Sequence, residues 1–304
     1  MNNPYTNGWD ADHESADMQA LFGDPGDGIV VVSESDAMAK IRESAQTPVA
    51  THPWTMAKVL FDQRDIPYER LTVWNQDANN CAGHGTARAI EAYMQISAWI
   101  GSRGEIMPFE TYVPWIWGVG KNEANNPGTG GASMSAMLSM ITKNGILPCD
   151  TPGLPSYKGT SNKWAARYGR QSQNAPYSSF WPEAKKYIVT VAPLPKDAEA
   201  FYMACKAGYA VAFGTSQKIA TSRNGDANRK WGASGSWMHA MAGYGYHQGL
   251  DAAGIDNSHG DGFAWATRDV LKSVVTNARY FDAFIILDIM PRQGKENWSG
   301  IGRN

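Results

Sequence analysis

Residues 76–100 read QDANNCAGHGTARAIEAYMQISAWI. No proline interrupts the run after Cys81, and Ala87, Ile90 and Met94 recur at helical spacing. The pattern predicts a helix from Cys81 to about Ile100, with Asn79 or Asn80 placed to cap its start. A cysteine there meets the partial positive charge and the N–H groups of the helix start, which lower a thiol pKa and favour the thiolate. Ala82 and Gly83 beside it leave room for a substrate. Cysteines are most often buried packing residues, and that reading is kept for Cys149 and Cys205. The polar, glycine-flanked helix start sets Cys81 apart.

Working outward, Met134, Met137, Leu138 and Ile141 make a second helical stripe after Ser133, and Asn144-Gly145 supplies its stop. A third helix is predicted from Asp197 to Lys206, between Pro195 and Gly208. Strands follow at Tyr187–Val191, Tyr209–Gly214, Trp237–Tyr246, Phe263–Ala266 and Tyr280–Ile289, each β-branched, aromatic or alternating and set off by glycine or aspartate. Helices early and strands late predict an α+β fold of two packed lobes. The expected organisation is an N-terminal arm over 1–65, a helical lobe over 66–177, a strand-rich lobe over 178–290 and a tail over 291–304. Within the arm, Ile29–Val32 reads as a strand and Ser35–Ser44 as a short helix. Trp115 and Trp117 bracket a glycine-rich loop and offer a contact surface.

Composition narrows the classes. The chain has 304 residues, 43% hydrophobic and 18% charged, with a formal net charge of -2. That is too apolar for disorder and gives no electrostatic case for nucleic acid. The apolar runs are too short to span a membrane, and no basic start leads into an apolar run as in a secretory signal. Three cysteines make no disulfide framework and no CxxC pair, so the expected setting is reducing, cytoplasmic or virion-associated. The glycine-rich stretches Gly23–Gly28 and Gly128–Ser133 lack the lysine of a phosphate loop. His239, His247 and Asp256 lack the spacing of a zinc motif, and no metal or organic cofactor is expected.

A cysteine nucleophile needs a base, and the base an orienting group. His84 lies three residues after Cys81 on the same helix, which makes it one candidate base. His239, in the apolar run Trp237–Gly243, is the other. The sequel Asn257-Ser258-His259-Gly260, read as a polar turn, offers an amide to hold its ring.

These pieces, in order, resemble the papain family of cysteine peptidases. The match runs through Gln76 and Cys81, then Gly130-Gly131 before a helix ending Lys143-Asn144-Gly145-Ile146, then Pro155-Ser156-Tyr157. It continues with His239-Ala240 and Gly243-Tyr244-Gly245, and ends with Asn257-Ser258 and Gly260. The resemblance implies a papain-like two-lobed fold over Ile66–Met290, and hydrolysis of peptide or isopeptide bonds through a thioester. It makes Cys81 the nucleophile, His239 the base, Asn257 its orienting group and Gln76 an oxyanion donor. Gly130 and Gly131 would form a substrate-pairing edge, with Ser133, Met238 and Ala240 lining a pocket. Departures from the family pattern are Gln76 five residues before Cys81, Ala82 after it, and His259 in place of a tryptophan. Ala78 and Gly128 stand where the family has bridging cysteines, and residues 1–65 show no inhibitory pro-segment pattern. A peptide or protein would be the substrate. The rival expectation is a papain-fold structural component of a larger assembly, such as a virus or phage particle, engaging protein partners through the N-terminal arm.

Overall fold

The computed structural model describes residues 32–46, 76, 79–100, 108–123, 131–155, 177–221, 230–259 and 262–291. Every residue from 81 to 97 is buried, so the helix that carries Cys81 runs through the interior and is apolar on more than one face. This is α2, Cys81–Ile100; α1 is Glu34–Ala45, α3 is Val113–Glu123 and α4 is Met134–Lys143. A short α5, Trp181–Ala184, leads into the sheet, whose strands are β1 Tyr187–Pro193, β2 Ala210–Thr221, β3 Trp231–His247, β4 Ala252–Asn257, β5 Gly262–Thr267 and β6 Phe281–Pro291. Between strands lie α6, Ala198–Lys206, and α7, Arg268–Leu271, which runs on into a π-helical turn. The class is α+β, as expected.

The strand order is β1-β6-β2-β3-β4-β5, and every neighbouring pair is antiparallel. Strand alternation divides the core in two. Ala210 and Ala212 of β2 and Ala240, Ala242 and Tyr244 of β3 join the cluster that holds α2, α3 and α4. Val211, Phe213, Trp237 and Met241 join the cluster that holds α6 and α1. The small alanines on one face and the rings on the other let a wholly buried helix and an amphipathic one bracket the same strands.

The helix predicted after Ser133 forms, with the Ser133 hydroxyl accepting from Ala136 N–H. Gly145 ends it at φ +77°, where any Cβ would collide with the Ala184 carbonyl. The arm helix also forms and buries Ala37, Ile41 and Ala45. Burial of Ile41 alone contributes about 1.5–3 kcal/mol. Of the strand expected at Ile29–Val32, only Val32 is described, and its N–H donates to the Val191 carbonyl. Most of the expected lobe boundary, and the residues after Pro291, lie outside the described residues.

Two readings are corrected. Trp115 and Trp117 are no surface: both are fully buried within α3. The glycines there serve packing, since a Cβ at Gly120 would stand 2.5 Å from Met137 Cε. Asn257 does not open a polar turn; it ends β4, and all six residues of that strand are buried.

Candidate active site

The first turn of α2 closes when His84 N–H donates to the Asn80 carbonyl at 3.1 Å. One turn after Cys81 the helix meets β3 backbone to backbone. A Cβ at Gly85 would lie 2.9 Å from both N and O of Met241, so only glycine permits that approach. At the same crossing, Ala240 N–H donates to Cys81 Sγ at 3.4 Å. The nucleophile candidate therefore touches the residue next to His239.

Strand pairing supplies the other half. Gly243 pairs with Ile255 and Ala242 with Asp256. One step further along that register sets Asn257 opposite Met241 and diagonal to His239, within side-chain reach on one face. His239 Nε2 lies 2.7 Å from Asn257 Oδ1. An amide oxygen only accepts, so Nε2 carries the proton and Nδ1 the lone pair. Nδ1 makes no hydrogen bond among the described residues. The imidazole sits in a cluster of three rings, its centroid 4.5 Å from Trp237 and 4.0 Å from His259.

Gln76 joins through Ser258, the residue after Asn257. Its N–H donates to the Ser258 carbonyl at 2.7 Å, and Ser258 Oγ–H donates to Gln76 Oε1 at 2.5 Å. The oxygen end of the amide is thereby anchored and Nε2 turned the other way. Asn257 and Ser258, adjacent in sequence, thus hold His239 and Gln76 respectively, and Cys81 touches Ala240, the residue after His239.

Burial governs their charge. Cys81, His239 and Asn257 are 0% exposed. Desolvation pushes the Cys81 thiol up to about 12, and the N–H groups of Ala240, Ala82 and Cys81 offset it only in part. The lowered thiol expected from the helix start is overturned, because complete loss of hydration outweighs a helix-end partial charge. Burial likewise holds His239 well below its ordinary range, helped by His259 and opposed by the Asn257 hydrogen bond. Burial thus disfavours both the thiolate and the imidazolium. His84, the other candidate base, is pushed down to about 3 by burial and then by the Arg88 charge.

The expected substrate-side residues fare differently. Gly131 is buried, and its carbonyl accepts from Lys121 Nζ at 2.7 Å. The Ser133 hydroxyl is engaged at the start of α4. Met238 is partly buried against the helical cluster and Ala240 wholly buried. Gly130 lies outside the described residues. Sequence reasoning missed Ser258 as the Gln76 partner and the buried polar set of Arg88, Glu91 and Asp256. Two charges three residues apart on an otherwise apolar helix were the available signal for that set. Among the described residues no group of three or more His, Cys, Asp or Glu is arranged to hold a metal ion, and no helix is long and apolar enough to cross a membrane.

No protein-family model matches the chain, and no curated protein matches it in sequence. Solved structures do. It is 15% identical to xylellain, a cysteine protease from Xylella fastidiosa, with a TM-score of 0.48 over 71% of this chain and 82% of that one. A digestive procathepsin L 3 from the larval midgut of Tenebrio molitor is 14% identical, TM-score 0.44, covering 72% of this chain and 67% of the other. Procathepsin B S9 from Trypanosoma congolense is 12% identical, TM-score 0.42, covering 74% of each. The chain is similar, at low identity, to papain-like cysteine proteases.

Proposed function

We propose that the chain is a papain-like cysteine peptidase that hydrolyses peptide or isopeptide bonds through a thioester on Cys81. The observation that carries this reading is the pairing of His239 Nε2 with Asn257 Oδ1 at 2.7 Å beside an Ala240 N–H bonded to Cys81 Sγ. That pairing leaves the basic nitrogen of His239 to take the thiol proton. The thiolate then attacks the scissile carbonyl carbon, and the oxyanion is held by the Cys81 N–H and Gln76 Nε2. Imidazolium returns its proton to the leaving amine, and the C–N bond breaks. Water, deprotonated by His239, attacks the thioester and expels the Cys81 thiolate as the acid leaves. Asn257 keeps the ring in one tautomer throughout.

A second reading rests on the enclosure of Cys81, 0% exposed with its thiol pushed up to about 12. A thiol in that state is a poor nucleophile, which suits a structural component with a silent cleft. On the peptidase reading, substrate binding opens the site and creates the ion pair.

Treatment with a peptide bearing a thiol-directed electrophile separates them. The peptidase reading expects label on Cys81 alone, lost in Cys81→Ala and slowed at least about 100-fold in His239→Ala. No label on Cys81, or equal label on Cys81 and Cys149 unaffected by His239→Ala, overturns it.

A further inference from the structure

Arg88 stands seven residues after Cys81, two helical turns along the same stripe of α2. It is 4% exposed. Its Nε lies 3.2 Å from Asp256 Oδ2, and its Nη1 lies 3.1 Å from Glu91 Oε2. Asp256, 7% exposed, also accepts from Tyr244 O–H at 2.6 Å. Glu91 Oε1 accepts from Thr111 N–H at 2.9 Å. The cluster ties the helix of the nucleophile to β4 by a buried ion pair between Arg88 and Asp256. Burying charge needs such pairing, and leaving one partner alone is strongly unfavourable.

The place of the pair on the strand gives it a consequence. Asp256 directly precedes Asn257, and adjacent strand residues point to opposite faces. Asp256 reaches the helix side, where Arg88 and Tyr244 hold it, and Asn257 turns the other way to His239. Whatever fixes Asp256 against α2 therefore fixes the height of Asn257 relative to both Cys81 and His239. The hydrogen bond from His239 at 2.7 Å leaves little slack for a strand that slides.

We infer that Arg88 and Asp256 are positioning residues that hold Asn257 in register for the His239 imidazole. The inference rests on the peptidase reading for its catalytic consequence, but the geometry it asserts is independent of activity. Neither residue touches substrate; both act through Asn257.

The test uses the full chain with Asp256→Asn, which keeps the side-chain shape, and Arg88→Lys, which keeps the charge. Exchange of the His239 Nε2–H proton with water is followed by NMR, and kcat and KM are measured on a peptide substrate. The inference expects exchange at least about tenfold faster in both variants as the bond to Asn257 loosens. It expects kcat to fall about 10- to 100-fold with KM within about threefold. It also expects Asp256→Asn/Asn257→Ala to be no slower than Asn257→Ala, because both changes remove one function. Unchanged exchange overturns the inference whatever the activity, and so does a double-variant loss equal to the product of the single losses. Should the wild-type chain cleave no peptide and take no probe on Cys81, the peptidase reading fails. The exchange measurement then decides the clamp alone.

Discussion

Two helices pack on opposite faces of β2 and β3, and each carries a buried cysteine. On α6, Cys205 is 1% exposed near the end of an amphipathic helix that starts on an Asp197 cap and stops at Gly208. Apolar side chains surround it, and burial alone pushes its thiol up. On α2, Cys81 is as deeply buried, yet three backbone N–H groups pull its thiol down against the same desolvation. His84, Arg88 and Glu91 follow on that helix, all buried, and Asp256 meets Arg88 from the sheet. Equal burial with unequal polar company distinguishes the two thiols. A site needs polar groups the core would otherwise exclude, each needing a partner.

The largest expected effect breaks the comparison at the sulfur atoms. Cys81→Ser is expected to lower kcat by about 10,000-fold or more while leaving thermal stability close to wild type. Cys205→Ser is expected to do the reverse. Burying a hydroxyl among apolar groups costs about 1–3 kcal/mol, with kcat/KM unchanged within about twofold. Peptide turnover and thermal unfolding of both variants check it. Matching profiles for the two serines would erase the distinction drawn between the helices.

How much of this was legible in sequence follows the same line. The α2 and α4 helices announce themselves through uninterrupted apolar periodicity, and β1, β2, β3, β5 and β6 through alternation. The α3 helix did not, because Pro114, Gly118 and Gly120 read as loop chemistry. Pro114 lies in the first turn, where its missing N–H bonds nothing, and Gly120 makes way for Met137. Of the site, the order Cys81, His239, Asn257 was readable from the resemblance, and its geometry is the product of one strand register. The charge state was not readable. Burial is a property of everything packed around a residue, and it reversed the direction assigned to the Cys81 thiol. Arg88 and Asp256 were invisible as a pair because only the folded sheet brings them together.

A smaller effect sharpens the comparison at the ring cluster. His259 covers His239 at 4.0 Å between centroids, in the place where the resemblance expects a tryptophan. The α6 side has a counterpart in the Phe201–Phe213 contact at 5.1 Å, which only packs. His259→Ala is expected to wet the His239–Asn257 bond and lower kcat about two- to tenfold, matching the about 0.5–1.5 kcal/mol of a stacked ring pair. His259→Trp is expected to keep or raise kcat. Steady-state kinetics on both variants decide, and a loss in His259→Trp as large as in His259→Ala would show that the imidazole itself is required.

The smallest effect is a slope. Burial pushes Glu91 up to about 8, so the folded chain holds a proton there that the unfolded chain releases near its ordinary 4.5. The stability this contributes is full below pH 4.5 and is lost as pH rises through about 8. His84 has the opposite sign. Pushed down to about 3, it contributes stability that is full above pH 6.5 and is lost as pH falls toward 3. Between pH 4.5 and 6.5 the two contributions cancel, one proton against one. Glu91→Gln removes one side of that balance and keeps one acceptor oxygen, for Thr111 or for Arg88. Its stability is therefore expected to fall with acid more steeply than wild type by about 1.4 kcal/mol per pH unit across that window. Urea unfolding at pH 4.5, 5.5 and 6.5 measures the difference. Equal slopes for Glu91→Gln and wild type would mean that α2 carries no buried titrating pair, and the polar company that distinguishes its cysteine from that of α6 would shrink to backbone N–H groups and His239.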